Sequence, residues 1–234
     1  MKKLVLYSLF AAVLILSSYS PSAISSMLID EQAETATMSA EEQFFVELGL
    51  EGKMSFAAFE QALAGFEIIE VERAVLTIID FSLPSTAERF FVIDMENREL
   101  LFSSHVSHGR NSGDNYTTSF SNRPGSNQSS LGFFLTDYTY IGANGLSLRL
   151  EGLEEGINHN ARARAVVIHG ADYSDPNLIR SMGRLGRSQG CPALPRELTK
   201  PIIETISNGS LVFAYSAQFN EEYLQNSTIL RNIL

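Results

Sequence analysis

From Ala74 onward the apolar positions come in short runs: AVLTIID (74–80), RFFVIDM (89–95), ELLFSSHVS (99–107), LGFFLT (131–136), LSLRLEG (146–152), RAVVIHG (164–170) and SLVFAYS (210–216). These runs are rich in β-branched and aromatic residues and are separated by Gly, Pro, Asn and Ser clusters. The pattern predicts at least seven strands in a mostly β domain. Before them the period is different. Ser39-Ala40-Glu41-Glu42 has the form of a capping box, and Phe44, Phe45, Leu48, Phe56, Phe59 and Leu63 recur at helical spacing around Gly49 and Gly52, so two short helices are expected over residues 39 to 66. Inside the β domain one helix is expected to begin near Pro201 and to stop at Asn208-Gly209, with one more helical turn in residues 174 to 183. Residues 108 to 130 form a connection long enough to predict a functional or a disordered loop.

The N-terminus adds a compartment. Met1-Lys2-Lys3 precedes an apolar run from Leu4 to Leu16, then small residues to Ala23. That run is shorter than the roughly 20 residues of a spanning helix, so an export signal removed after use is expected, with no stable membrane insertion afterwards. The expected organisation is a signal peptide over 1–23, a linker over 24–38, a helical segment over 39–70, a catalytic domain over 71–217 and a C-terminal tail over 218–234. The formal charge of −10 disfavours nucleic acid as a partner. Between Ala161 and Cys191, however, five arginines (Arg162, Arg164, Arg180, Arg184, Arg187) face only Asp172 and Asp175, which predicts that an anion is met there.

Cys191 is the single cysteine of the chain. A lone thiol in an exported protein is a buried hydrophobe, half of an intermolecular disulfide, or a nucleophile. Gly183, Gly186, Gly190 and Pro192 surround it with a constrained loop rather than a core strand, which favours the nucleophile. A nucleophilic thiol needs a base. His169 closes an apolar strand and is followed by Gly170, so its ring sits where the strand opens, and residues 170 to 190 are long enough to fold back and bring Cys191 beside it. The orienter of its second nitrogen is either a backbone carbonyl, that of Gly170, or Asp172. Pro192 has no N–H, so oxyanion donors must come from Cys191 and the residues before it, with Gly190 allowing close approach. His105 and His108 lack the carboxylate or cysteine that would complete a metal-ligand pattern, so no metal and no cofactor is expected. A hydrogen-bonded structural role is expected for His105 and His159, and a place in a cleft wall is open to His108.

VVIHGADY followed by GRSQGCPALP resembles the catalytic region of the murein L,D-transpeptidases, in their divergent YkuD-like branch with Cys-Pro-Ala. LTIIDFSLPS, SHVSHGRNSG, FSNRPGSNQSSLGFFLT and GLSLRLEGLEEGINHNARARAVVIHG agree with that branch, so the resemblance runs over about residues 74 to 216. It implies a β-sandwich L,D-transpeptidase domain behind a short N-terminal helical segment, acting on peptidoglycan stem peptides in the periplasm or envelope of a bacterium. It implies Cys191 as nucleophile, His169 as base, and the backbone of Gly190 and Cys191 as oxyanion donors. In better-known members an arginine or asparagine lies just after the cysteine, where this chain has Pro192-Ala193; Arg187, Arg184 and Ser188 are therefore expected to bind substrate, the arginines through its carboxylates. Two other readings stay open: an L,D-carboxypeptidase that uses water as acceptor, and a catalytically silent cell-wall binding protein. A papain-type protease is disfavoured, because there the cysteine precedes the histidine.

Overall fold

The structure is a computed structural model that describes residues 38–231. The expected export segment, and the expected linker up to residue 37, lie outside the described residues. Two helices occur where the period predicts them, α1 over Ala40–Glu47 and α2 over Phe56–Ile68. The capping box closes reciprocally: Ser39 N–H donates to Glu42 Oε2 at 2.7 Å and Glu42 N–H to Ser39 Oγ at 3.1 Å. In α2, Ala58, Phe59 and Ala62 are buried and belong to the same apolar core as the strands. Burying Phe59 alone stabilises the assembly by about 1.5–3 kcal/mol, so α2 is part of the domain rather than an appendage.

Eight strands follow among the described residues, within the expectation of at least seven, and one of them is not among the seven runs named from the sequence. They are β1 (Val75–Asp80), β2 (Phe90–Asp94), β3 (Glu99–Ser104), β4 (Gly132–Gly142), β5 (Gly145–Gly152), β6 (Val167–Gly170), β7 (Ala193–Leu194) and β8 (Leu211–Tyr215). They form one mixed sheet in the order β3-β2-β1-β8-β4-β5-β6-β7. Strands β1 and β8 are buried along their whole length and pair in parallel at the middle of the sheet, which is why their sequences are continuous apolar runs without alternation. The additional strand is β7; two residues carry no readable period. Beyond the end of β3, Ser107 bridges Ala193 of β7, so the last strand meets the chain that leaves the first strand of the order.

Arg89 fixes that junction. It is fully buried, and its guanidinium donates to Val106 O at 2.9 Å, Leu83 O at 2.8 Å and His108 Nδ1 at 2.7 Å. An arginine can only donate, so His108 accepts at Nδ1 and carries its proton on Nε2. Burial, and then the Arg89 charge, push the His108 imidazole down to about 3. His108 is fully buried and lines no cleft.

The helix near Pro201 begins earlier than predicted: α4 spans Arg196–Ile206 after the short α3 (Ile179–Met182), and Pro201 lies inside it. The proline forfeits one helical hydrogen bond, but Thr199, Ile202, Ile203 and Ile206 form a buried stripe at helical spacing that holds the helix in place. Within the stretch read from the sequence as a tail from residue 218, α5 spans Asn220–Asn226, and Tyr223 and Leu230 are buried in the common core. Glu154, fully buried, accepts from Phe133 N–H at 2.8 Å, from the Tyr223 hydroxyl at 2.9 Å and from the Ser227 hydroxyl. Burial raises its carboxyl above the ordinary carboxylate value. No helix of the described residues is long and apolar enough to cross a membrane.

Candidate functional site

Strand β6 carries His169 and β7 follows Cys191, and the two strands pair in parallel with His169 opposite Ala193 and Gly170 opposite Leu194. His169 N–H points at Pro192 O (3.4 Å) and Ala171 N–H donates to Leu194 O (3.0 Å). The residue just before Pro192 is the cysteine. The backbone ladder therefore sets Cys191, two residues before Ala193, just ahead of the strand that pairs with the one carrying His169, through a pairing of residues more than twenty positions apart.

His169 is 3% exposed. Its Nδ1 lies 3.0 Å from Gly170 O. A carbonyl only accepts, so Nδ1 carries the proton and Nε2 is left as the basic nitrogen. Burial pushes this imidazole below its ordinary value, while the Gly170 bond pulls it up and the Arg196 charge pushes it down. Of the two orienters open from sequence, Asp172 is engaged elsewhere, in a bidentate pair with Arg196. Gly170 tolerates no side chain: a Cβ there would lie 2.5 Å from Thr199 Oγ1, so the glycine lets α4 press against β6.

The cysteine loop is shaped by Ser188. Its Oγ accepts from Gly190 N–H at 3.0 Å and donates to Cys191 O at 2.6 Å. Gly190 has φ +123°, and a Cβ on it would lie 2.8 Å from Gln128 O, so both conformation and space demand glycine. With the Gly190 amide given to Ser188, only the Cys191 amide of the two expected oxyanion donors has no acceptor among the described residues. The half-buried thiol lies 3.6 Å from Ala165 O, and Ala165 is held in the left-handed region at φ +54°. Burial raises the thiol above its ordinary value; a Val167 backbone contact and the Arg164 charge oppose that rise. Burial thus favours the uncharged form of both the thiol and the imidazole.

The residues expected to bind substrate are placed differently. Ser188 is 4% exposed and spends its hydroxyl on the loop. Arg184 Nε lies 2.6 Å from Asp114 Oδ1, and Arg187 Nη1 lies 3.4 Å from the same oxygen and 2.8 Å from Gly113 O. These two guanidiniums are held against residues 110–114, not presented as open forks. His105 and His159 have the hydrogen-bonded roles expected, on Thr86 O, and on Asn122 and Gly156. Two residues near the thiol had no role assigned from sequence. Tyr173 stands edge-on to His169 with ring centroids 6.5 Å apart. Arg164, counted above only as a charge, lies in the turn before β6. The loop from 108 to 130 is ordered, with Ser112, Thr117, Ser129 and Ser130 buried in it.

Among known proteins, the L,D-transpeptidase catalytic domain family matches residues 50–215. Solved structures that resemble this one include an L,D-transpeptidase from Mycobacterium smegmatis (15% identity, 61% of this chain and 58% of that chain, TM-score 0.38). Another is the helical cell shape determining protein Pgp2 from Campylobacter jejuni (9% identity, 63% of this chain and 49% of that chain, TM-score 0.43). A third is a fused zinc-dependent amidase/peptidase and peptidoglycan-binding domain-containing protein from Clostridium acetobutylicum (18% identity, 68% of this chain and 59% of that chain, TM-score 0.39). The chain spans about three fifths of the length of the first of these structures. No curated protein matches it. The family match begins within the segment before α2 and ends on the last residue of β8, so it takes in α2, all eight strands and both halves of the cysteine–histidine pair: this chain belongs to the L,D-transpeptidase catalytic domain family.

Proposed function

We propose that this chain is an exported, cysteine-dependent L,D-transpeptidase of the bacterial periplasm or envelope, acting on peptidoglycan tetrapeptide stems through a thioester. The observation that carries this reading is the Nδ1 contact of His169 with Gly170 O, on the strand that pairs with the segment leaving Cys191. It leaves Nε2 as the basic nitrogen of the ring. In the first half-reaction Cys191 Sγ attacks the carbonyl carbon of the third stem residue, and its proton passes to His169 Nε2. The C–N bond to the terminal D-alanine then breaks, and the departing amine takes that proton. In the second, an acceptor amine attacks the thioester, gives a proton to His169, and the sulfur leaves and recovers it. The Cys191 amide donates to the oxyanion in both. Because burial favours the uncharged form of both thiol and imidazole, proton transfer accompanies attack rather than preceding it.

The test is incubation with a carbapenem, a strained acyl donor, followed by intact mass, together with analysis of muropeptides formed from wall material. One adduct on Cys191 and new cross-linked muropeptides are expected. Trimmed stems without cross-links would make water the acceptor and the protein an L,D-carboxypeptidase. No adduct and no change in muropeptides would leave a silent wall-binding protein and overturn the proposal.

A further inference from the structure

Four arginines near the site, Arg162, Arg184, Arg187 and Arg196, each pair with a carboxylate. Arg164 differs. Its Nη1 donates to Ser121 O at 2.6 Å and Ser130 Oγ at 2.5 Å, and its Nη2 to Gln128 O at 2.6 Å and Ser126 Oγ at 3.3 Å. All four acceptors are neutral and all lie in the long polar loop. A guanidinium has five N–H donors, so the loop leaves too few for a bidentate grip on a substrate carboxylate. Its charge nevertheless has no counter-ion among the described residues, and removing such a charge from water is costly unless something nearby uses it. Burial indeed weakens its hold on its proton.

What lies nearby is the cysteine loop. Gln128 O, held by Arg164, is the atom 2.8 Å from where a Gly190 side chain would begin, and Arg164 Nη2 is 3.5 Å from the same point. The next residue in the chain after Arg164 is Ala165, whose carbonyl meets the thiol. One turn thus touches the thiol from its backbone and the loop beside the thiol from its side chain.

We propose that Arg164 is a positioning residue for the Cys191 nucleophile: it fixes the 121–130 loop against Gly190 and supplies the uncompensated positive charge that steadies sulfur as it loses its proton. This rests on the reading of Cys191 as nucleophile. The charged and titratable groups whose electrostatics reach the thiol are Arg164 from the turn before β6 and Tyr173 from the segment after it, while His169 lies on β6, which pairs with the strand that follows Cys191. Of these, Arg164 alone is positively charged at neutral pH, since burial keeps His169 neutral.

The experiment reads alkylation of Cys191 by iodoacetamide, a small neutral reagent, as a function of pH, beside turnover. In Arg164→Gln the midpoint should rise by about one pH unit, a roughly tenfold slower alkylation at about pH 8. In Arg164→Lys the charge stays but the four-acceptor grip is lost, so the midpoint should stay within about 0.3 pH units of wild type while turnover falls about tenfold or more. An unchanged midpoint in a folded Arg164→Gln, with only its melting temperature lowered, would reduce Arg164 to a structural residue. If Arg164→Gln does not fold, Arg164→Lys decides: a midpoint shifted by about a full unit in it would show that geometry and not charge acts on the thiol, and overturn the proposal. Because alkylation reads the thiol itself, it does not depend on turnover; if Cys191→Ala keeps full turnover, it is the nucleophile reading that fails and not the charge assignment.

Discussion

Arg187 and Arg164 make an instructive pair. Arg187 is four residues from Cys191 in the chain, yet its guanidinium turns to Gly113 O and, with Arg184, to the single carboxylate of Asp114. Arg164 is 27 residues away, yet its Nη2 lies 3.5 Å from where a Gly190 side chain would begin, next to the cysteine in the chain. The first group is a loop fastening whose charge is partly cancelled by an exposed aspartate; the second is half-buried and uncancelled. A charge matters to a nucleophile through distance and desolvation, and nearness along the chain settles neither.

The largest expected effect tests what the two groups surround. Cys191→Ala should abolish turnover and carbapenem labelling while leaving the far-UV spectrum and melting temperature unchanged, since neither arginine site loses a partner; residual turnover at the wild-type level would remove the chemistry that makes the comparison meaningful. Next, His169→Ala should lower kcat/KM about 10²–10⁴-fold, as expected for loss of a general base. In the wild type, burial holds His169 below its ordinary value, so the neutral base persists as the medium is acidified. The acid limb of kcat/KM should accordingly fall below about pH 6.5; a limb above that would mean that the imidazole is held charged.

His108 of the buried Arg89–His108 pair lies in the chain just before the 110–114 segment that holds Arg184 and Arg187, and stability should report on that pair. His108 titrates at about 3 when folded and near about 6.5 when unfolded. Between those values the unfolded chain binds the extra proton, so this group makes stability fall as pH drops from about 6.5 toward about 3, by up to about 1.4 kcal/mol per pH unit. His108→Gln should flatten that slope in urea melts taken at several pH values, whatever its effect on stability at neutral pH. An unchanged slope would mean that His108 already binds its proton when folded. The smallest effect belongs to the arginines nearest in sequence. Arg187→Ala and Asp114→Asn should each change stability by about 0.2–1 kcal/mol, the range of exposed pairs, with kcat/KM lowered less than about tenfold and the alkylation midpoint unmoved. A fall beyond about 100-fold in Arg187→Ala, carried by KM, would restore it as a carboxylate-binding residue and invert the comparison.

What could be read from the chain itself was whatever is written in local order. The strands were legible because β-branched and aromatic runs end at Gly, Pro and Asn, and α1 because Ser39 and Glu42 sit at capping-box spacing. Cys191 and His169 stood out by residue type and by their loop and strand-end settings. The start of α4 was missed because Pro201 is a stronger local signal than the buried Ile202, Ile203 and Ile206 that hold the helix across it, and β7 because two residues have no period. The turning of Arg187 toward Asp114 and the placing of Arg164 and Gln128 beside Gly190 are contacts between residues distant in sequence. They depend on a parallel pairing of β6 with β7 and on a long loop folded over it. Such pairings are chosen by the free energy of the whole packed sheet, so only the tertiary structure decided which arginine lies against the cysteine loop.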